Sequence, residues 1–269
     1  MIEAQKKDIQ NILEYLKEGI QDCIYMYIDI KKYGINNTAM KVWYESDKNG
    51  SLVLVVMKYH TSISFYSDKD DCNLNGVIEL IKDYKPNSIS AKKVFVERLY
   101  SEMFNDYDVT YGHILRLLNY PDLGQDYIVK TARDTDMLEI AKLIVSDVHI
   151  GSYYDVNDLA EQFIERRNSG MGRNYIILDK GKIVGHVASY AELDNIGVAG
   201  GLIADPMYKG EFLLGPILEG FIIRKMVKEG FTLFSFVTPK RSKILVRLGN
   251  KFVSEYGKLT RKHLVGINN

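Results

Sequence analysis

Apolar residues along this 269-residue chain recur at two spacings, and each switch between them marks an element. Ile9, Ile12, Leu13, Leu16 and Ile20 lie three and four apart, which predicts an amphipathic helix over about residues 3–20. Strand-like stretches follow. Residues 24–30 alternate in part, residues 40–44 are rich in β-formers, and Asp47-Lys48-Asn49-Gly50 turns the chain into an inner strand at 51–60. Residues 62–66 are its neighbour. Helical spacing returns at 74–84, closed by Lys85-Pro86, and again at 92–104, and residues 110–118 end this half.

The second half is written more clearly. Residues 127–132 read as a strand, and Arg133-Asp134-Thr135-Asp136 opens a helix through Ile144 with Asp134 or Thr135 as its cap. A second helix spans 155–168, capped by Asp155. Residues 174–178 and 183–191 form a hairpin about Asp179-Lys180-Gly181-Lys182, and Glu192-Leu193-Asp194-Asn195 turns into a strand at 196–204. A helix, a strand at 231–237, a short helix at 240–248 and a final strand or strand pair at 251–261 complete the chain. A meander followed by a strand–helix–strand crossover predicts an α/β fold with a mixed sheet. Residues 119–126 are polar and turn-rich, so they read as a linker between domains at 1–120 and 127–269, whose coarse element orders agree.

Composition narrows the function classes. Lysine plus arginine equals aspartate plus glutamate at 35 each, so no net field argues for nucleic acid or an anionic membrane. No apolar run approaches the roughly 18 residues that span a bilayer, and the N-terminus has mixed charge, unlike a signal peptide. Two cysteines, Cys23 and Cys72, cannot build a disulfide framework, and no Cys/His spacing predicts a metal site. A cytoplasmic protein, monomeric or homodimeric, is the expectation.

The stretch from Gly200 to Arg224 carries the clearest chemistry. A short apolar run, Leu202-Ile203-Ala204, stops at Asp205-Pro206; a turn with Lys209 and Gly210 follows; then helical spacing begins. Unpaired N–H groups and the dipole at a helix start favour an anion, so this is either a diphosphate cradle or a plain crossover. Backbone N–H groups near Leu202 and Ile203 would hold a developing oxyanion, unless Gly200 and Gly201 only mark a β-bulge. Glu192 and Asp194, with Tyr190 nearby, are the candidates for a base that takes a proton from an amine, against the alternative of a solvated hairpin turn. His186 reads as a core histidine. Lys240-Arg241-Ser242-Lys243 reads as a site for a phosphate or as a cationic helix start, and His149 with Gly151-Ser152-Tyr153-Tyr154 as a loop.

From residue 127 to about 261 the chain resembles a GNAT-type N-acyltransferase domain. The resemblance rests on Ala132-Arg133-Asp134-Thr135-Asp136, Lys182-Ile183-Val184-Gly185, Ile203-Ala204-Asp205-Pro206-Met207-Tyr208-Lys209-Gly210 and Leu248-Gly249-Asn250-Lys251-Phe252, in that order. It implies two such domains in tandem, the first diverged and without a recognisable phosphate turn. It also implies acetyl-CoA as co-substrate, held by Leu202, Ile203, Lys209, Gly210, Glu211, Phe212, Leu213 and Leu214, with Thr238 and Arg241 on the donor side. The chain departs from the family's pattern at Phe212 and Leu214, where small residues are expected. Glu211 adds a negative charge beside the diphosphate. Thr238 and Leu245 stand where the family often has Asn and Tyr, the latter its general acid. The implied activity is acyl transfer, acetyl first, to the amine of a small molecule. The departures keep a second reading open, a GNAT-like binding or interaction module without catalysis.

Overall fold

The computed structural model describes residues 1–35, 39–123, 127–147, 155–208 and 211–262, with only the backbone at 211 and 212. In chain order the elements are β1 (Ile2–Glu3), α1 (Ile9–Glu18), α2 (Ile20–Tyr33), β2 (Met40–Ser46), β3 (Leu52–Tyr59), β4 (Ser62–Tyr66), α3 (Asn75–Tyr84), β5 (Ser88–Lys92), α4 (Lys93–Met103) and β6 (Tyr107–Leu117). Then come β7 (Val129–Thr131), α5 (Met137–Val145), α6 (Val156–Asn168), β8 (Arg173–Asp179), β9 (Lys182–Leu193), β10 (Ile196–Ala204), α7 (Glu211–Lys228), β11 (Thr232–Val237), α8 (Pro239–Arg247) and β12 (Lys251–Arg261). They form two compact units, Met1–Ile114 with Val253–Asn269, and Leu115–Phe252.

In the first unit the strand order is β1-β2-β3-β4-β5-β12-β6. β2, β3 and β4 form an antiparallel meander, α3 crosses over, and β5 returns parallel to β4 from Ser62↔Ser88 to Ser64↔Ser90. Ile63, Phe65, Ile89 and Ala91 point to one face, where they bury Val77, Ile81, Phe95 and Leu99 from α3 and α4. Two readings of the sequence are corrected here. Residues 24–30 are helix, within α2: Tyr25 is the exposed position, while Ile24, Tyr27 and Ile28 are buried at helical spacing. β-rich residue types gave way to the burial those helical positions gain. The other concerns β12, which the sequence reading kept in the second half. From Val253 onward it belongs to the first unit, because it pairs antiparallel with β5, Tyr256↔Lys92 to Thr260↔Ser88. Gly257 is required there, since a Cβ would lie 2.6 Å from that of Val96.

The second unit repeats the plan. β8, β9 and β10 form a meander, α7 crosses over, and β11 returns parallel to β10, giving the order β11-β10-β9-β8-β7. Its core divides by sheet face. Leu214, Leu218, Ile222 and Met226 of α7 pack with Tyr175, Val184 and Leu245 on one side. Met137, Ile140, Ile144, Leu159 and Phe163 of α5 and α6 pack with Ile176 and Ile203 on the other. Asp155 caps α6 as expected, accepting the N–H groups of Asn157 (2.8 Å) and Asp158 (3.1 Å). Among the described residues no helix is long and apolar enough to cross a membrane.

Candidate active site

The site is made where β10 leaves β11 and slips its register with β9. Its parallel ladder with β11 runs from Ile196↔Thr232 to Ala199↔Ser235, after which β10 continues to Ala204 beside β9 only. At the same place its register with β9 slips. Gly200 faces Ala188 and Ile203 faces His186, so Gly201 and Leu202 together oppose the single residue Val187. A second slip lies just before it, where Tyr190 is the extra residue of β9. These are β-bulges, which turn side chains and backbone groups out of the ladder.

Both bulges depend on glycine. Gly201 has φ +62°, and a Cβ on it would sit 1.9 Å from the Tyr190 hydroxyl; one on Gly200 would sit 2.8 Å from the same ring. Tyr190 lies flat on Phe163 of α6, with ring centroids 6.2 Å apart, and the Arg166 guanidinium lies 5.5 Å from the tyrosine ring. His186 is fully buried on this face. Its Nδ1 lies 2.8 Å from the Gly201 carbonyl oxygen and its Nε2 2.9 Å from Asn174 Oδ1. Burial pulls the imidazole down to about 4, so the ring is neutral at pH 7.

Beyond Ala204 the chain makes the turn read from the sequence. Asp205 donates its N–H to Val184 O (2.8 Å) and accepts those of Met207 at Oδ1 (2.9 Å) and Tyr208 at its carbonyl (3.0 Å). Lys182 binds Oδ2 at 2.6 Å and holds the Asp205 carboxyl below the usual carboxylate range. Lys209, Gly210 and the side chains of Glu211 and Phe212 lie outside the described residues, as do His149 and residues 151–154. Leu213 is exposed and Leu214 is fully buried. Leu214 points into the core beside Gly185, whose missing side chain leaves room for the next turn of α7: a Cβ there would lie 2.8 Å from Leu218 Cδ1 and in ordinary contact, 3.7 Å, with that of Leu214. The bulk at 214 is therefore a core knob.

Of the three candidates for proton transfer, the structure brings only Tyr190 to the bulge. Glu192 faces Gly197 at the paired end of β10, where it accepts Arg173 Nε at 2.8 Å and the Ser189 hydroxyl. Arg173 also binds Glu229 at 2.5 Å; burial opposes its charge, and the two carboxylates more than offset that. Asp194 and Asn195 have φ +52° and +59°, the type I′ hairpin turn between Leu193 and Ile196. A two-residue turn puts Glu192 and Asp194 at the end of β10 opposite to the splay.

On the α7 side Thr238 caps α8, accepting the N–H of Arg241 at 3.3 Å. The Arg241 guanidinium is held by Glu219 of α7, beside the buried Tyr120. Burial pushes the Glu219 carboxyl up, and Arg241 opposes it. Leu245 is core. Asn250, buried, accepts the N–H groups of Leu118 (2.8 Å) and Asn119 (3.2 Å) at Oδ1. Among the described residues no three His, Cys, Asp or Glu side chains are grouped to hold a metal ion.

No protein-family model matches the chain, and no curated protein matches it. Solved structures do. A Drosophila protein is similar over 97% of this chain and 97% of its own, with TM-score 0.66 at 14% identity. A GCN5-related N-acetyltransferase from Sphaerobacter thermophilus has TM-score 0.62 at 13% identity, covering 97% of this chain and 94% of that one. A tandem GNAT protein from the clavulanic acid biosynthesis pathway covers 96% and 97%, with TM-score 0.60 at 12% identity. The fold is a tandem GNAT fold.

In the GNAT fold of the second unit, the splayed pair is β10 and β11, with α7 following the turn. The first GNAT unit has the corresponding pair, β4 and β5, but the segment after β4 carries Asp68, Asp70 and Asp71. Arg98 binds its carbonyl oxygens at Asp70 (2.9 Å) and Cys72 (2.7 Å), and Tyr15 donates to Asp68 at 2.9 Å. Three carboxylates repel a diphosphate. Asn174 of this site escaped the sequence reading, as did Arg173, Glu219 and Tyr120, which engage the candidates Glu192 and Arg241. For Asn174 a signal existed, since strand alternation puts this lone amide on the same face as Ile176 and His186.

Proposed function

We propose that the second unit is an acyl-CoA-dependent N-acyltransferase, acetyl-CoA being its donor and the amine of a small molecule its acceptor. The observation that carries this reading is the parting of β10 from β11 at the point where Gly201 and Leu202 bulge out of register with β9. Backbone groups released from two ladders at once are available to a ligand. Acetyl-CoA supplies an activated acyl group as a thioester. The Leu202 N–H is the donor for its carbonyl oxygen, the first turn of α7 with Lys209 suits the diphosphate, and Leu214 stays out of the way in the core. Tyr190 is positioned to exchange a proton at the bulge. Cys23 and Cys72 are free thiols, which fits a reducing, cytoplasmic compartment.

Three observations favour the second reading, a GNAT-fold binding module without turnover. Glu192 is occupied by Arg173, Arg241 by Glu219, and Leu245 is buried where the family has its acid. Calorimetry with acetyl-CoA, followed by a thiol-release assay over a panel of small amines, separates the two. The parent is expected to bind acetyl-CoA, with affinity falling about tenfold in Lys209→Ala, and Tyr190→Phe is expected to slow transfer about 100-fold at unchanged donor affinity. Donor binding without transfer to any amine supports the binding module. No donor binding overturns the enzyme.

A further inference from the structure

We propose that His186, steadied by Asn174, is a positioning residue that aims the Leu202 amide into the splay. The inference rests on the acyl-CoA reading above and adds to it the device that sets its oxyanion donor. It follows from one peptide plane. In a trans peptide the C=O and the N–H point in opposite directions. The Gly201 carbonyl oxygen lies 2.8 Å from His186 Nδ1, on the neighbouring strand β9. The N–H of the same peptide unit, that of Leu202, therefore points away from β9. Beyond Ala199 that is the side from which β11 has parted.

The tautomer is fixed by the partners. A carbonyl oxygen only accepts, so Nδ1 carries the proton. A neutral ring then has Nε2 as acceptor; the Asn174 atom placed 2.9 Å from it is Oδ1, so the tautomer assigns this amide turned end for end, with its NH2 donating to Nε2. The ring cannot rotate without losing both bonds, and it is wedged against Phe163 with centroids 5.9 Å apart. A glycine at φ +62° has two-way freedom that no neighbouring ladder removes here, so an outside hold on its carbonyl decides which way the next amide faces. His186 acts through the backbone and touches no reacting atom.

Two measurements on the full-length protein test this. The first needs no ligand. The 15N spectrum of histidine-labelled protein is expected to show His186 with Nδ1 protonated and Nε2 bare; the opposite tautomer overturns the proposal whatever the protein binds. The second uses acetyl-CoA labelled with 13C at the thioester carbonyl. Bound to the parent, the carbonyl is expected to shift downfield, and the preference for acetyl-CoA over CoA to fall about fivefold in His186→Leu, the size of one lost hydrogen bond. His186→Gln, whose amide can donate to Gly201, is expected to restore the shift. If His186→Leu fails to fold, Asn174→Val reads the same quantity with the ring loosened. A carbonyl shift unchanged in the folded variant overturns the positioning role. Absence of acetyl-CoA binding by the parent instead overturns the enzymatic reading and leaves the tautomer result to decide the geometry.

Discussion

Gly201 is bonded by His186 and closely approached by Tyr190, and both rings pack on Phe163, so change at one residue is felt at the others. The charge state of His186 is the simplest handle. Burial keeps it at about 4 against 6.5 for an ordinary imidazole, so the unfolded chain takes up the proton first as pH falls. Its contribution to stability is full above pH 6.5 and is lost on descending toward 4, about 2 kcal/mol of it by pH 5. The groups packed around the ring are Phe163 from α6, Asn174 and Ile176 from β8, and Ile203 from β10. A cation, Arg166, lies above Tyr190, which packs on the same Phe163 ring. Urea midpoints at pH 7 and pH 5 are expected to differ more for the parent than for His186→Gln. The comparison with that variant is needed because Asp205 and Glu229, held low by their cations, also lose stability in acid.

At the scale of elements, α7 and α8 are fastened by a buried ion pair. Glu219 is almost fully buried, while the Arg241 side chain keeps 30% exposure, so the loss on breaking the pair is reduced by solvent. Arg241→Ala is expected to cost about 2 kcal/mol by urea unfolding, and Glu219→Met together with Arg241→Met to regain most of it. Such a pair is hard to foresee, because the partners are 22 residues apart and each reads alone as a surface charge. What was legible followed from local period and turn chemistry: the meanders, the hairpin at Asp194 and Asn195, the Asp155 cap, and the strand–turn–helix after Gly200. Residues 24–30 were misread because their types favour strand while their burial is helical. Short β5 escaped notice, its serines giving little apolar signal. The site was half legible. The glycine pair pointed to a bulge, but the register that sends Glu192 and Asp194 to the far end of β10 depends on pairing across strands.

At the scale of the whole molecule, the strand pairing of β12 is the unusual feature. A chain stopped after Phe252 lacks the partner of β5, and with it Leu259 from the core of the first unit. Hydrogen exchange in that truncated chain is expected to accelerate at residues 88–92 while the amides of β8 to β10 keep their protection; equal protection in both units would show that β12 adds nothing to the first. The same pairing bears on how the protein is made. Domains generally fold as they leave the ribosome, the earlier one first. Here β12 enters between β5 and β6, and 162 residues separate Lys93 from its ion-pair partner Glu255. At ordinary rates of synthesis that is about ten to thirty seconds. By the end of that interval every strand of the later unit has been made, while the earlier-made one still lacks the strand that pairs with β5. The first unit's sheet therefore cannot close until the last strand has been made, although most of that unit is made first.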